Sequence, residues 1–249
     1  MKTIVISNRK GGSAKTTTAV NLAAELAKEY SVLLLDFDTQ GHASIGVGVS
    51  SVEDIGLHSI FDGATLSSTL IPTILPNLTL SPALEFFDVY EYADLRGILK
   101  SRFEVERVAE FFDYCIIDTP PTYDAFLKNS LEVADVVLIP VVPHHLGIVG
   151  VGQMLRAVYQ IITSISGKKV DIGILPVMYN IHLKEHKDAL NELKITFGEN
   201  KLFTPIGNDI LLAKQFENQT PVVLSGQRSR GKQDYVQFAK ELIERVHKG

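Results

Sequence analysis

The stretch Lys2-Thr3-Ile4-Val5-Ile6-Ser7-Asn8-Arg9-Lys10-Gly11-Gly12-Ser13-Ala14-Lys15-Thr16-Thr17-Thr18 passes from an apolar β-type segment through a small-residue turn into a helix. The helix is marked by Val20, Leu22, Ala23, Leu26 and Ala27, apolar at spacings of one to four residues. Strand, loop and helix in this order build a phosphate cradle: loop amides and the helix N-terminus face the anion, a lysine adds charge, and the next hydroxyl reaches Mg²⁺. Gly11, Gly12, Ser13, Ala14, Lys15, Thr16 and Thr17 are therefore the candidate phosphate-binding residues, and Thr16 a candidate metal ligand. The competing reading is an ordinary β-to-α turn with Lys15 in solvent. Two further segments decide between them.

The generic loop G-x-x-x-x-G-K-[ST] would place glycines where this chain has Arg9 and Ala14. What the chain follows is K-G-G-x-x-K-[ST]-[ST], with an additional lysine, Lys10, five residues before Lys15. If position 14 requires a positive φ, its alanine costs on the order of 1 kcal/mol.

Residues 31–38 read Ser-Val-Leu-Leu-Leu-Asp-Phe-Asp, and residues 113–121 read Asp-Tyr-Cys-Ile-Ile-Asp-Thr-Pro-Pro. Continuous rather than alternating hydrophobicity predicts strands buried on both faces of a parallel sheet. Their acids, Asp36, Asp38 and Asp118, then fall at the C-terminal sheet edge, where open α/β sheets bind ligands. A strand-end carboxylate beside a phosphate loop can hold Mg²⁺ or its water, so Asp38 and Asp118 join Thr16 as candidate metal ligands. Asp36 and Asp38 could instead cap the following helix.

The chain has 249 residues, 45% apolar and 21% charged, with a formal net charge of −5. That composition suits a globular α/β domain with a full core and excludes a uniformly basic surface, so nucleic-acid contact would need a local patch. The N-terminus opens in a strand without a signal-peptide pattern, and no uninterrupted apolar run approaches the ~18 residues of a membrane span. Cys115 is the single cysteine, which excludes an internal disulfide and cysteine-paired metal or cluster sites, and points to a reducing cytoplasm.

Beyond the first helix, strands are expected at 77–81, 135–142 and 170–176, with a short edge strand at 201–204. Helices are expected at 56–61, in two stretches over 84–112, and at 146–165, 184–197, 209–216 and 232–246. His42 and His58 are expected on the surface. With neither linker nor repeat, one doubly wound, mostly parallel sheet flanked by helices accounts for residues 1–249.

The Lys10 to Thr17 loop resembles the deviant Walker A loop of the ParA/MinD family of ATPases. Asp36-Phe37-Asp38-Thr39-Gln40 resembles that family's D-x-D-P-Q, with Thr39 for proline. Asp118-Thr119-Pro120-Pro121 resembles its D-[TS]-P-P, and Ser229-Arg230-Gly231-Lys232-Gln233-Asp234-Tyr235 resembles S-R-G-A-Q-x-Y. The likeness extends along nearly the whole chain and lies nearest to the ParA-type, Soj-like partitioning ATPases.

The resemblance implies a P-loop NTPase fold, ATP and Mg²⁺ as cofactors, and slow intrinsic hydrolysis. It assigns catalytic roles to Lys15, to Asp38 on the attacking water, and to Lys10, which would reach the nucleotide of a partner subunit. It places Asn180 and Pro205 beside the adenine. It further implies an ATP-bound homodimer, a ParB-like or cargo-adaptor protein that stimulates hydrolysis, and non-specific DNA binding through Arg228, Arg230 and Lys232. Family members often carry arginines between 205 and 212, where this chain has Gly207 and Ile210. The alternatives are a MinD-like membrane-associated regulator and a cargo-positioning ATPase that does not touch DNA. For the membrane reading no basic amphipathic segment follows the last helix, which is expected to be core.

Overall fold

The computed structural model describes all residues except 50–54, 85–86, 88–94, 165–168 and 249, with backbone only at Lys248. Seven strands, β1 Lys2–Ile6, β2 Val32–Asp36, β3 Ile71–Pro72, β4 Leu78–Ser81, β5 Tyr114–Asp118, β6 Val136–Val141 and β7 Asp171–Pro176, form one sheet. Their order is β3-β4-β2-β5-β1-β6-β7, and every neighbouring pair is parallel except β3 with β4.

The helices are α1 Lys15–Leu26, α2 His42–Gly46, α3 Ile98–Val105, α4 Ala125–Val133, α5 His145–Thr163, α6 Lys184–Phe197, α7 Ile210–Lys214 and α8 Arg230–Lys248. Alternate strand residues feed two cores. Ile4, Ile6, Leu34, Ile116 and Leu138 pack with α1 and α8, while Val5, Leu33, Leu35, Cys115, Ile117 and Val137 pack with α4 and α5. An unbroken apolar strand is what this demands, since each face needs its own partner.

The chain leaves β1 toward β2 on one side and later returns to add β6 on the other. That reversal opens a crevice at the C-terminal end of β1. Pro140 lies within β6 at no cost to the ladder. Leu138 is the last residue of β6 in register with β1, and its carbonyl accepts from Ser7 N–H. Two residues on, the Pro140 carbonyl takes the Asn8 side-chain amide instead, at 2.7 Å.

Several expectations need correction. Residues 201–204 are not a strand: Glu199–Lys201 is a 3₁₀ turn, and contact with β7 is one bridge, Ile174 with Leu202. Pro205 has no N–H with which to extend it. Helix α4 was not foreseen. The prolines that end β5 are followed by Asp124, whose carboxylate caps α4 by accepting from Phe126 and Leu127 N–H at 3.0 and 3.1 Å. His58, expected on the surface, is wholly buried, whereas His42 is exposed. Residues 57–62 form a 3₁₀ helix, and within 84–112 the described helical parts are α3 and a 3₁₀ turn at Val108–Glu110. Much of 84–94 lies outside the described residues.

Among the described helices α5 alone is long and apolar enough to cross a membrane by length and composition. Ile148, Val151, Met154, Leu155, Val158 and Ile161 spend its apolar side on the sheet.

Candidate nucleotide site

The loop after β1 wraps the start of α1. Gly12 has φ +70°, a conformation glycine adopts freely. Ala14, the N-cap of α1, lies at φ 59° and ψ 32°, so the alanine does occupy a left-handed position. For a non-glycine residue this strain is on the order of 1 kcal/mol, stored beside the anion-binding amides.

Gly11 to Thr17 line a cleft of ≈ 460 Å³ together with Asp38, Gln40, His42, Pro121 and Phe216. Lys15 is buried, and its pKa is lowered by desolvation, against which Asp118 and Asp38 act. The loop therefore presents a poorly hydrated ammonium between acids, ready for a phosphate.

Register places Asp36 and Asp118 side by side on β2 and β5. Both are completely buried. Asp36 is satisfied, with its carboxylate accepting from Asp38 N–H at 3.0 Å and Ala43 N–H at 3.2 Å, so it joins β2 to α2. Burial and the neighbouring Asp118 and Asp38 charges hold its pKa well above the usual carboxylate range. Asp118 differs: neither carboxylate oxygen has a hydrogen-bond partner. Burial pushes its pKa up to about 7, with Asp38 adding to the shift, while the nearby Thr16 hydroxyl and Lys15 pull it down.

An unpartnered buried carboxylate beside a hydroxyl is the donor set Mg²⁺ takes when phosphates complete its shell. The site fits the ion. No cluster of three or more His, Cys, Asp or Glu side chains suited to a metal occurs among the described residues, so the phosphates are needed as ligands.

A second, more apolar cavity of ≈ 260 Å³ adjoins the cleft and shares Ala14, Thr17 and Phe216 with it. Val177, Met178, Gly207, Asn208 and Leu212 supply other walls, suited to a flat base. Neither Asn180 nor Pro205 lines it. The Asn180 side-chain oxygen accepts from His182 N–H at 2.9 Å and closes a turn, the role asparagine commonly has there. Met178, in the loop that the resemblance places beside the adenine, does line this cavity, whereas Asn208 and Phe216 were not singled out by sequence reasoning. Met178 is held at φ 53°, a strain no motif announces.

Lys10 is exposed and stands outside the cleft. Arg228 and Arg230 are exposed as well, Arg230 lying 3.7 Å from Asp234. The Lys232 ammonium is taken up by the Ser225 carbonyl at 2.5 Å.

A parallel sheet whose central strand feeds a lysine-bearing glycine loop, with strand-end acids alongside, defines a P-loop nucleotide hydrolase. The family described as AAA domain matches residues 1–172. The sporulation initiation inhibitor protein Soj of Bacillus subtilis is 31% identical over 247 residues, covering 97% of this chain and 98% of that protein. The chromosome-partitioning ATPase Soj of Thermus thermophilus is 30% identical, covering 99% and 97%. Among solved structures, the ATP complex of Cyanothece McdA superposes with a TM-score of 0.85 at 23% identity, covering 99% of this chain and 96% of that one. The chain belongs to this family as a Soj-like, ParA/MinD-type P-loop ATPase.

Proposed function

We propose that residues 1–249 form one ATPase domain that works as a cytoplasmic, dimerising switch and positions DNA or another cellular cargo. The reading is supported by Lys15 and Asp38 lining one cleft, by the buried Asp118 whose charge acts on Lys15, and by Lys10 on the same loop but outside the cleft.

Two subunits sandwich two nucleotides, loop against loop. Lys15 and the amides of residues 11–17 would hold the β- and γ-phosphates, and Thr16 and Asp118 would hold Mg²⁺, which when bound would supply positive charge beside the phosphoryl oxygens. Asp38 orients water in line with the γ-phosphoryl group, and Lys10 stabilises developing charge in the partner's site, in the manner of an arginine finger. Hydrolysis is slow in the isolated dimer, so the dimer persists as a signal until an adaptor protein accelerates turnover. The exposed Arg228, and Arg230 on leaving Asp234, would meet DNA phosphates, which require only positive charge in register.

A second reading, cargo positioning without direct DNA contact, draws support from the engagement of Lys232 by Ser225 and from the net charge of −5. Membrane attachment through α8 has less support, because Tyr235, Phe238, Leu242 and Val246 are buried against the sheet and α1.

Gel filtration and DNA retention with ATP, ADP and no nucleotide, for wild type and Lys10→Ala, test the proposal. An ATP-dependent dimer that Lys10→Ala abolishes is expected, with hydrolysis falling about 10³-fold. A wild-type dimer and rate in Lys10→Ala defeats the trans role. Dimerisation without DNA retention selects the second reading, and vesicle pelleting with ATP would bring back the membrane alternative.

A further inference from the structure

Lys10 has a partner within its own subunit. Its ammonium nitrogen is 2.9 Å from His144 Nε2. His144 caps α5 where β6 turns into that helix, and the turn is tight. His144 N–H donates to the Val142 carbonyl and Gly147 N–H to His144 Nδ1, each at 2.9 Å. A Cβ on Gly147 would stand only 2.3 Å from the Val142 oxygen, so the helix start is pressed against the end of β6. The imidazole thus has a fixed seat, and Lys10 reaches it on a flexible stem.

The two contacts make opposite demands on one ring. An ammonium only donates, so Lys10 needs the lone pair at Nε2, while Gly147 N–H, which the His144 carbonyl also accepts at 2.9 Å, uses the lone pair at Nδ1. A neutral imidazole offers one lone pair and one N–H. Docking of Lys10 therefore forces the Nδ1–H tautomer and gives up the side-chain cap of α5. Departure of Lys10 restores that cap.

We propose that His144 is a latch for Lys10 in cis, holding the ammonium on the α5 side of the loop in the free subunit and releasing it when a second copy presents a triphosphate. The inference rests on the trans role of Lys10 proposed above. The tautomer conflict keeps the latch weak, and a polyanionic phosphate is a stronger partner for an ammonium than a neutral ring. Because both subunits must free their lysines to pair, the latched fraction lowers the apparent association of each.

The charged and titratable groups facing His144 are Lys10 from the loop and Glu185 and His186 from α6. Burial, followed by the Lys10 charge, lowers the His144 pKa, with Glu185 opposing. Protonation would fill both nitrogens and break latch and cap together.

The first test uses the nucleotide-free full chain. Imidazole ¹⁵N NMR of His144 in wild type and Lys10→Met should show a shift toward the Nε2–H tautomer and a higher pKa in the variant. Identical tautomer ratios and pKa values overturn the latch. The second test uses His144→Asn, which keeps an oxygen to cap α5 but is too short to reach Lys10. Its unfolding midpoint should match wild type, and half-dimerisation with ATP should need about 4- to 100-fold less protein, the square of the roughly 2- to 10-fold that a hydrogen bond of ordinary net strength supports in each subunit. An equal or higher protein requirement overturns the latch. The NMR arm involves no nucleotide, so its failure leaves the ATPase reading standing. Failure of every variant to dimerise with ATP removes that reading and the purpose of the latch together.

Discussion

The imidazole of His58 is enclosed by Phe37, Phe87 and Phe126, at ring separations of 5.8, 5.1 and 4.6 Å. Leu84 N–H donates to its Nδ1 at 3.0 Å, which leaves Nε2–H to donate to the Phe37 carbonyl at 3.3 Å, so the ring is held neutral. Burial lowers its pKa from 6.5 to about 4, with the Phe37 contact opposing. The unfolded chain therefore binds a proton at higher pH than the folded one. Stability supplied by the neutral ring is complete above about pH 6.5 and is lost as pH falls toward about 4, by up to about 3 kcal/mol. Urea unfolding at pH 7 and pH 4.5 should show this loss in wild type and a smaller one in His58→Gln. Parallel pH profiles would refute the assignment. No spacing rule identifies such a histidine, because a lone imidazole in the run Leu57-His58-Ser59-Ile60 fits a surface residue as well as one sealed among phenylalanines.

Between elements, the phosphate-loop helix is held by α8 and by the segment that follows α7. Thr18 Oγ1 meets the Tyr235 hydroxyl at 3.0 Å, both buried, and burial raises the Tyr235 pKa. Asn21 donates to Gln215 Oε1 at 2.7 Å and accepts from Val223 N–H at 3.2 Å. Alanines 19, 23 and 24 keep the rest of α1 slender against the sheet. These bonds join residues some two hundred positions apart and fix α1, hence the loop amides, to the C-terminal third of the chain. Tyr235→Phe leaves the Thr18 hydroxyl buried without its partner and should cost about 1 kcal/mol, a fall in Tm of about 2–4 °C. Adding Thr18→Val should recover most of it, because loss of both partners leaves no unpaired polar group. Additive losses in calorimetry would mean that the two hydroxyls do not depend on each other.

For the complete subunit the proposed nucleotide should act as a structural partner as well as a substrate. Without it, Asp118 is buried beside Asp36 with both oxygens unpartnered, an arrangement that costs stability. ATP with Mg²⁺ at about 100 times its Kd should stabilise the fold by about 2.7 kcal/mol, and EDTA should withdraw most of that. Asp118→Asn should lose the Mg²⁺-dependent part of the gain while being at least as stable as wild type without nucleotide. Thermal unfolding with ATP, with and without EDTA, measures both. An undiminished Mg²⁺ response in Asp118→Asn would remove this residue from the metal site.

How much of this was open to a reader of residues follows from the range of the forces involved. Apolar runs ending in acid, and small residues leading to Lys15, are local patterns, and local patterns specify strands, a phosphate loop and their parallel alternation through backbone geometry and burial. The parallel sheet and the gathering of Lys15, Asp38 and Asp118 were therefore foreseeable. The loss of the edge at 201–204, helix α4, the burial of His58, the part of Asn208 and Phe216 in the apolar cavity, and the contact of Lys10 with His144 were not. Helix α4 does carry a local signal, the Asp124 cap behind the two prolines, but the others depend on which surfaces meet once the chain has closed on itself, and contacts of that kind leave no period or spacing in the chain.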